Sequence, residues 1–337
     1  MLKPTPYRIE MRKRGENVYY YLIKDMYING KNTRVAQYIG KEEPAPEDLE
    51  RIIAQHTIEL ESKAGNKQAQ IRLEKLKTEY LSKENAEDIE KIRYFYQSIN
   101  SLVSLDELKM YEQNFEEHYV HGTTAIEGNT LSLRETQELL EHGIIPKGKS
   151  LRDINEVQNY KRVAKFRNEY TGKVTLDFIK KLHEYIMMNI LDDAGSFRAT
   201  DGIIIVGRDY QLTPAIMIED DLELLIDDYY TKIKDGHNPF ECAVLFHYRF
   251  ESIHPFRDGN GRVGRELLNY LLTTEGYPRV LVLAEERSEY LQALDAGDQD
   301  RFSDMINVFA GMLITQRKEV LERNLQALPK LMRGREN

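Results

Sequence analysis

Only one cysteine occurs in this 337-residue chain, and that scarcity closes off a class of structure. Cys242 has no second cysteine to pair with, so no disulfide framework holds the fold. Its place inside an apolar helical pattern reads as a buried core thiol. No run approaches the ~18 apolar residues of a membrane span, and the opening "MLKPTPYRIEMRKRG" lacks the apolar stretch of a secretory signal. A cytoplasmic protein with no membrane contact is expected. Positive charge is also short. With 47 Lys and Arg against 56 Asp and Glu, the formal charge of -9 gives no basis for general affinity to nucleic acid or anionic lipid. Repeats and low-complexity segments are absent too. What remains is 41% hydrophobic and 31% charged residues, a balance that lets a chain bury a core and stay soluble.

The first forty residues are rich in β-branched and aromatic side chains. "YRIEMRK", "VYYYLIKDMYI" and "TRVAQYI" read as strands, with Asn29-Gly30 as a hairpin turn between the last two. Gly40 and "EEPAPED" close this module. Three strands have little core of their own and are expected to pack on the following helices or on a partner. Residues 44–110 read as a charged helical arm with no catalytic signature. Beyond it the pattern is that of one compact helical domain. Ser132 to Glu135 forms a capping box opening "LRETQELLEHG". "TLDFIKKLHEYIMMNIL" sets Leu176, Ile179, Leu182, Tyr185 and Ile186 on one face. "GIIIVGRDYQLTP", residues 202–214, is short and β-like.

One loop carries the chemistry. Asn238 and Pro239 start a helix through "FECAVLFHYRFESI", and a second helix is expected from near Arg262 to Gly276. Between them "HPFRDGNG" is polar and glycine-rich, and it ends where unpaired N–H groups and the positive helix end converge. That is an anion site: Gly259 and Gly261 allow the backbone to curl toward a phosphate. Arg262 and Arg265 add donors one turn apart, suited to a polyphosphate. Asp258 offers a hard oxygen for Mg²⁺, and His254 could take a proton from an attacking hydroxyl. Together they describe phosphate transfer with a base, a metal ligand, a cradle and two clamps. Each part alone has a plain structural reading as a turn, a solvated helix face or a structural histidine. Their order within twelve residues does not.

His254 to Arg265, "HPFRDGNGRVGR", resembles the Fic family signature HPFx(D/E)GNGRxxR at every specified position. The resemblance extends over roughly residues 110–315, including "KKLHEYIM" and "GSFR". It implies a mainly α, helical Fic fold with a short β-hairpin flap, preceded by a small antiparallel β module and a helical arm. The expected division is 1–43 for the β module, 44–110 for the arm, 111–315 for the Fic domain and 316–337 for a helical tail. The resemblance implies a protein adenylyltransferase that moves AMP from ATP to a Tyr, Thr or Ser hydroxyl of a target, itself included. His254 would be the base and Asp258 the Mg²⁺ ligand. Gly259, Asn260 and Gly261 would cradle phosphate, and Arg262 and Arg265 would hold the β- and γ-phosphates. Ile205, Val206 and Gly207, in the flap that would hold the target segment over the active site, would join the ATP-binding residues, and Tyr290 in "RSEYLQALDAGDQD" would contact adenine near Asp298.

Upstream, "TTAIEGN" fits the family's inhibitory pattern of Ser or Thr, three residues, Glu, then Gly or Asn. The resemblance implies that Glu127 reaches Arg265 and competes with the γ-phosphate, in the class whose inhibitory helix precedes the catalytic core. Two further readings stay open. Glu127 would position water to remove AMP, or the site would be vestigial in a protein that acts through its strands and arm. The expected partners are ATP and a hydroxyl-bearing protein. A homodimer is left open, and "RIEMRKRG", as a hairpin of alternating charge, gives no reason to expect nucleic acid.

Overall fold

The computed structural model describes residues 7–28, 30–102, 105–201 and 212–333. The flap expectation, with Ile205, Val206 and Gly207, therefore lies outside the described residues, as does Asn29 of the hairpin turn. The chain divides into two units. Met1–Lys77, Ser82–Lys109 and Ile314–Asn337 form the first, and Thr78–Leu81 with Met110–Leu313 form the second.

In the first unit β1 (Tyr7–Arg14), β2 (Asn17–Ile28) and β3 (Lys31–Gly40) make an antiparallel sheet in sequence order. Glu10 lies opposite Tyr21, and Lys24 opposite both Tyr7 and Val35. Gly15 turns the first hairpin with a left-handed φ of 61°, a conformation that costs glycine nothing. The inner face bears Leu22 and Val35 against Ile53, Leu60 and Ala64 of α1 (Leu49–Leu73) and Tyr94 of α2 (Lys83–Leu102). The sheet finds its core on the helices that follow, as a three-stranded sheet must. Lys24 also points inward. Its Nζ meets Glu61 Oε1 at 2.6 Å, and the hydroxyls of Tyr7 and Tyr94 each donate to that carboxylate at 2.6 Å. A buried charge is tolerated only when partnered in this way.

The second unit is helical. Much of it is started by side-chain caps: Ser132 for α4 (Leu133–His142), Ser150 for α5 (Leu151–Glu169) and Thr175 for α6 (Leu176–Ile186). The Ser132–Glu135 capping box is present, and α4 stops at Gly143 with a φ of 69°. The preceding α3 spans Leu105–Ile126, and α7 (Ile218–Lys234) leads to α8 (Pro239–Ile253), which Asn238 caps through the Phe240 N–H at 3.0 Å. α8 is nearly all buried. Phe240, Phe246 and Phe250 are fully covered, each stabilising the fold by about 1.5–3 kcal/mol. Cys242 lies among them as a free thiol that burial pushes up to about 12, so it is chemically quiet. α9 (Asn260–Thr274) packs against α8, followed by α10 (Arg287–Asp298) and α11 (Phe302–Arg333). Among the described residues no helix is long and apolar enough to cross a membrane.

Candidate active site

The short link between α8 and α9 is shaped by backbone conformations that L residues seldom adopt. His254 closes α8 with a φ of 52°, and its N–H still bonds Phe250 O at 3.0 Å. A non-glycine residue held left-handed at a helix end marks a position that its surroundings enforce. Arg198, from the "GSFR" segment, does the enforcing. Its Nε donates to His254 O at 2.9 Å, its backbone N–H to Pro255 O at 2.9 Å, and its guanidinium also reaches the carbonyls of Thr200 and Thr213.

His183 of α6 braces the other side. Its ring stacks on Phe256 at 3.7 Å, and its Nε2 lies 3.0 Å from Asp258 O. The Gly195 N–H donates to Nδ1 at 2.8 Å, so Nδ1 is the acceptor and Nε2 carries the proton. Burial pushes this imidazole down to about 4, outweighing the bond from its proton to the Asp258 carbonyl. An unfolded chain would bind that proton near pH 6.5. Stability from neutral His183 is thus complete above about pH 6.5 and lost as pH falls toward 4. Thermal melts from pH 7.5 to 4.5 are expected to show a decline that the His183→Gln variant lacks in part, by up to about 3 kcal/mol. Parallel declines for the two proteins would deny His183 this role.

α9 begins at Asn260, two residues before the expected start, because Gly259 serves as N-cap with a φ of 84°. The Asn260 side chain closes the loop: Oδ1 accepts from the Phe256 N–H at 2.9 Å and Nδ2 donates to Phe256 O at 2.8 Å. With the amide engaged there, the backbone N–H groups at the start of α9 are the donors best placed for an anion.

All the charged groups of the signature are engaged. Arg265 is buried; Nε donates to Thr123 Oγ1 at 2.8 Å, and Nη2 to Thr123 O at 3.0 Å and to Glu127 Oε1 at 2.7 Å. Burial would raise the Glu127 carboxyl, but Arg265, with Arg262 behind it, holds it below the usual carboxylate range. Glu127 lies over Gly261 so closely that a Cβ there would meet Oε1 at 2.5 Å. A carboxylate thus already lies over the start of α9. Arg262, buried, donates to Glu156 Oε1 at 2.8 Å and to Asp258 Oδ1 at 3.1 Å. Asp258, with its side chain 36% exposed, takes a further bond on Oδ2 from Arg152 at 2.6 Å. Desolvation opposes ionisation of Asp258, yet Arg152 and Arg262 together hold its pKa down. Tyr290, expected at the adenine, is buried with its hydroxyl 2.9 Å from His247 Nε2 and its ring 5.7 Å from the Arg265 guanidinium.

The structure therefore brings Glu127, Asp258, Asn260, Gly261, Arg262 and Arg265 together around one loop, with His254 at its start. Sequence reasoning missed Arg152 and Glu156, which stand one turn apart on α5 and have no motif to flag them. His183 and Arg198 fell within quoted segments, but no task was assigned to either.

Residues 173–272 match the Fic/DOC family. The chain is 36% identical over 182 residues to protein adenylyltransferase fic-1 of Caenorhabditis elegans, a match covering 52% of this chain and 35% of that protein. The chain thus spans about a third of the length of that relative. Two solved structures are each similar at 25% identity and a TM-score of 0.62. One is a Fic-domain-containing signaling protein from Bacteroides thetaiotaomicron, with 73% of this chain and 97% of that chain covered. The other is Fic-1 of C. elegans, with 83% and 86% covered.

Proposed function

We propose, from a chain that carries a domain of the Fic/DOC family, that it transfers AMP from ATP to a hydroxyl side chain of a protein target. The observation that carries this reading is the start of α9, where the opening N–H groups, Arg262 and Arg265 converge on one side of a loop that presents His254 and Asp258. This is a polyphosphate cradle with a base beside it. The target hydroxyl attacks the α-phosphorus and forms an oxygen–phosphorus bond. His254 takes its proton, and the bond to pyrophosphate breaks with its electron pair leaving on the pyrophosphate oxygen. Arg262 and Arg265 hold the charge of that leaving group.

Mg²⁺ fits the donors present. Among the described residues no three His, Cys, Asp or Glu gather as a metal cage, so a metal here would share the Asp258 carboxylate with oxygens of the nucleotide. Mg²⁺ ordinarily binds in that way, and bound there it would neutralise developing charge on the phosphates. Arg152 donates to Asp258 Oδ2 at 2.6 Å, so a metal that took this oxygen would compete with it. Arg152→Ala is therefore expected to lower the Mg²⁺ concentration at half-maximal nucleotide binding about two- to fivefold, the scale of a partly exposed ion pair. Calorimetric titration of a non-hydrolysable ATP analogue at stepped Mg²⁺ would measure it. An unchanged midpoint would mean the metal does not compete with Arg152.

Glu127 makes the resting state inhibited, because its carboxylate and the γ-phosphate need the same guanidinium. Mass spectrometry of lysate proteins after incubation with labelled ATP and the Glu127→Gly chain tests nucleotide, chemistry and target together. AMP on hydroxyl side chains supports the reading, and its absence with folded protein overturns it.

A further inference from the structure

We infer that the groove between α7 and α8 is the docking site for a segment of the protein target that carries basic and apolar side chains near its acceptor hydroxyl. The inference rests on the transfer activity proposed above. The groove holds about 600 Å³, room for several side chains, and is lined by Asp221, Leu224 and Asp228 of α7 and by Arg249, Ser252 and Ile253 of α8, with Thr213 at one end. Its α7 residues recur at helical spacing and so form one face. Of its α8 residues, Ser252 and Ile253 immediately precede His254. At the Thr213 end, Arg198 ties the Thr213 carbonyl and the His254 carbonyl to one guanidinium. A chain lying in the groove thus runs up to the residue assigned as base.

Charge and apolar surface identify the occupant. α7 opens "IEDDLELLIDD", with six acidic residues in eleven. Asp228 is neutralised by Arg249 at 2.7 Å and Lys232 at 3.0 Å, and Glu219 by Lys180 at 2.8 Å. Asp220, Glu223 and Asp227 stay exposed and leave the helix face negative. That field repels ATP, so the groove suits the other reactant. Leu224 is 67% exposed on the groove itself, and Ile216, in the turn that leads into α7, is 88% exposed. A segment carrying Lys or Arg with Leu-like neighbours would cover the leucine and meet the carboxylates.

The test titrates fluorescein-labelled peptides into the full chain carrying His254→Ala, which binds acceptors without consuming them. Each peptide has one tyrosine flanked by leucines and by lysine, serine or aspartate. The lysine peptide is expected to bind about tenfold tighter than the aspartate peptide. Asp220→Lys combined with Asp227→Lys should invert that order, and Leu224→Asp should weaken the lysine and serine peptides. Calorimetric binding of a non-hydrolysable ATP analogue should stay at the parent level in all groove variants. Equal affinities for the three peptides, or an order unmoved by charge reversal, would overturn the inference. So would a dimer that Leu224→Asp dissolves in sedimentation while peptide affinity stays the same, which would make the groove a contact between two copies. If the folded parent labels neither itself nor lysate proteins, the transfer reading fails, while the peptide series still decides the groove.

Discussion

Replacing His254 with alanine is expected to slow AMP transfer by about 10²–10⁴-fold while nucleotide binding stays near that of the parent. In the proposed reaction the loss falls on the chemical step, because His254 would act on the incoming hydroxyl, whereas the start of α9 and its two arginines would be the anion donors. The backbone at this position needs separate control. A φ of 52° is strained for alanine by about 1 kcal/mol, so the alanine variant carries a small stability penalty unrelated to catalysis. Asparagine tolerates the left-handed region and has no useful basicity. His254→Asn should thus fold as well as the parent and remain as inactive as His254→Ala. Incorporation of labelled AMP reports transfer, and calorimetry with an ATP analogue reports nucleotide binding. Transfer by either variant at the parent rate would take the base role away from His254.

Glu127→Gly is expected to raise transfer by about ten- to a hundredfold, the scale of a charge-assisted hydrogen bond that no longer has to be displaced. The carboxylate holds Arg265 Nη2 at 2.7 Å and crowds Gly261, so in the proposed reaction a γ-phosphate would have to evict it from both. Removing it does not strand the guanidinium, because Thr123 still takes bonds from Nε and Nη2. The Glu127 side chain is 31% exposed, which holds the stability loss to about 1–3 kcal/mol, less than for a fully buried pair. Labelling of the chain itself and of lysate proteins, at equal folded concentration, measures the change. Equal or weaker labelling by the variant would leave Glu127 as a helix end that happens to reach an arginine.

Features made by neighbours in sequence were legible before the structure. The Ser132–Glu135 capping box, the Asn238 cap of α8 and the paired strands of the N-terminal sheet each arise from contacts within a few residues or a single hairpin. The link between Glu127 and Arg265, 138 residues apart, was legible only through a resemblance, since no local rule connects them. The partners of Asp258 and Arg262 were not legible at all. Arg152 and Glu156 lie 106 residues upstream, and their one-turn spacing looks like any solvated helix face until α5 is packed against the loop. The start of α9 was misplaced for a different reason. A helix capped by the backbone of Gly259 has no side-chain signature, and the Asn260 amide, spent on closing the loop, leaves none either.

The interrupted membership of the first unit has a consequence during synthesis. Its sheet, α1 and α2 leave the ribosome early, but the unit also includes Ile314, which packs against Ile92 of α2. At ~5–20 residues per second, the stretch from 110 to 313 takes roughly ten to forty seconds to emerge. Throughout that interval Ile92 lacks part of its cover and offers a surface for a chaperone. A nascent chain stalled short of residue 314 should therefore be retained by chaperones longer than one that has passed it.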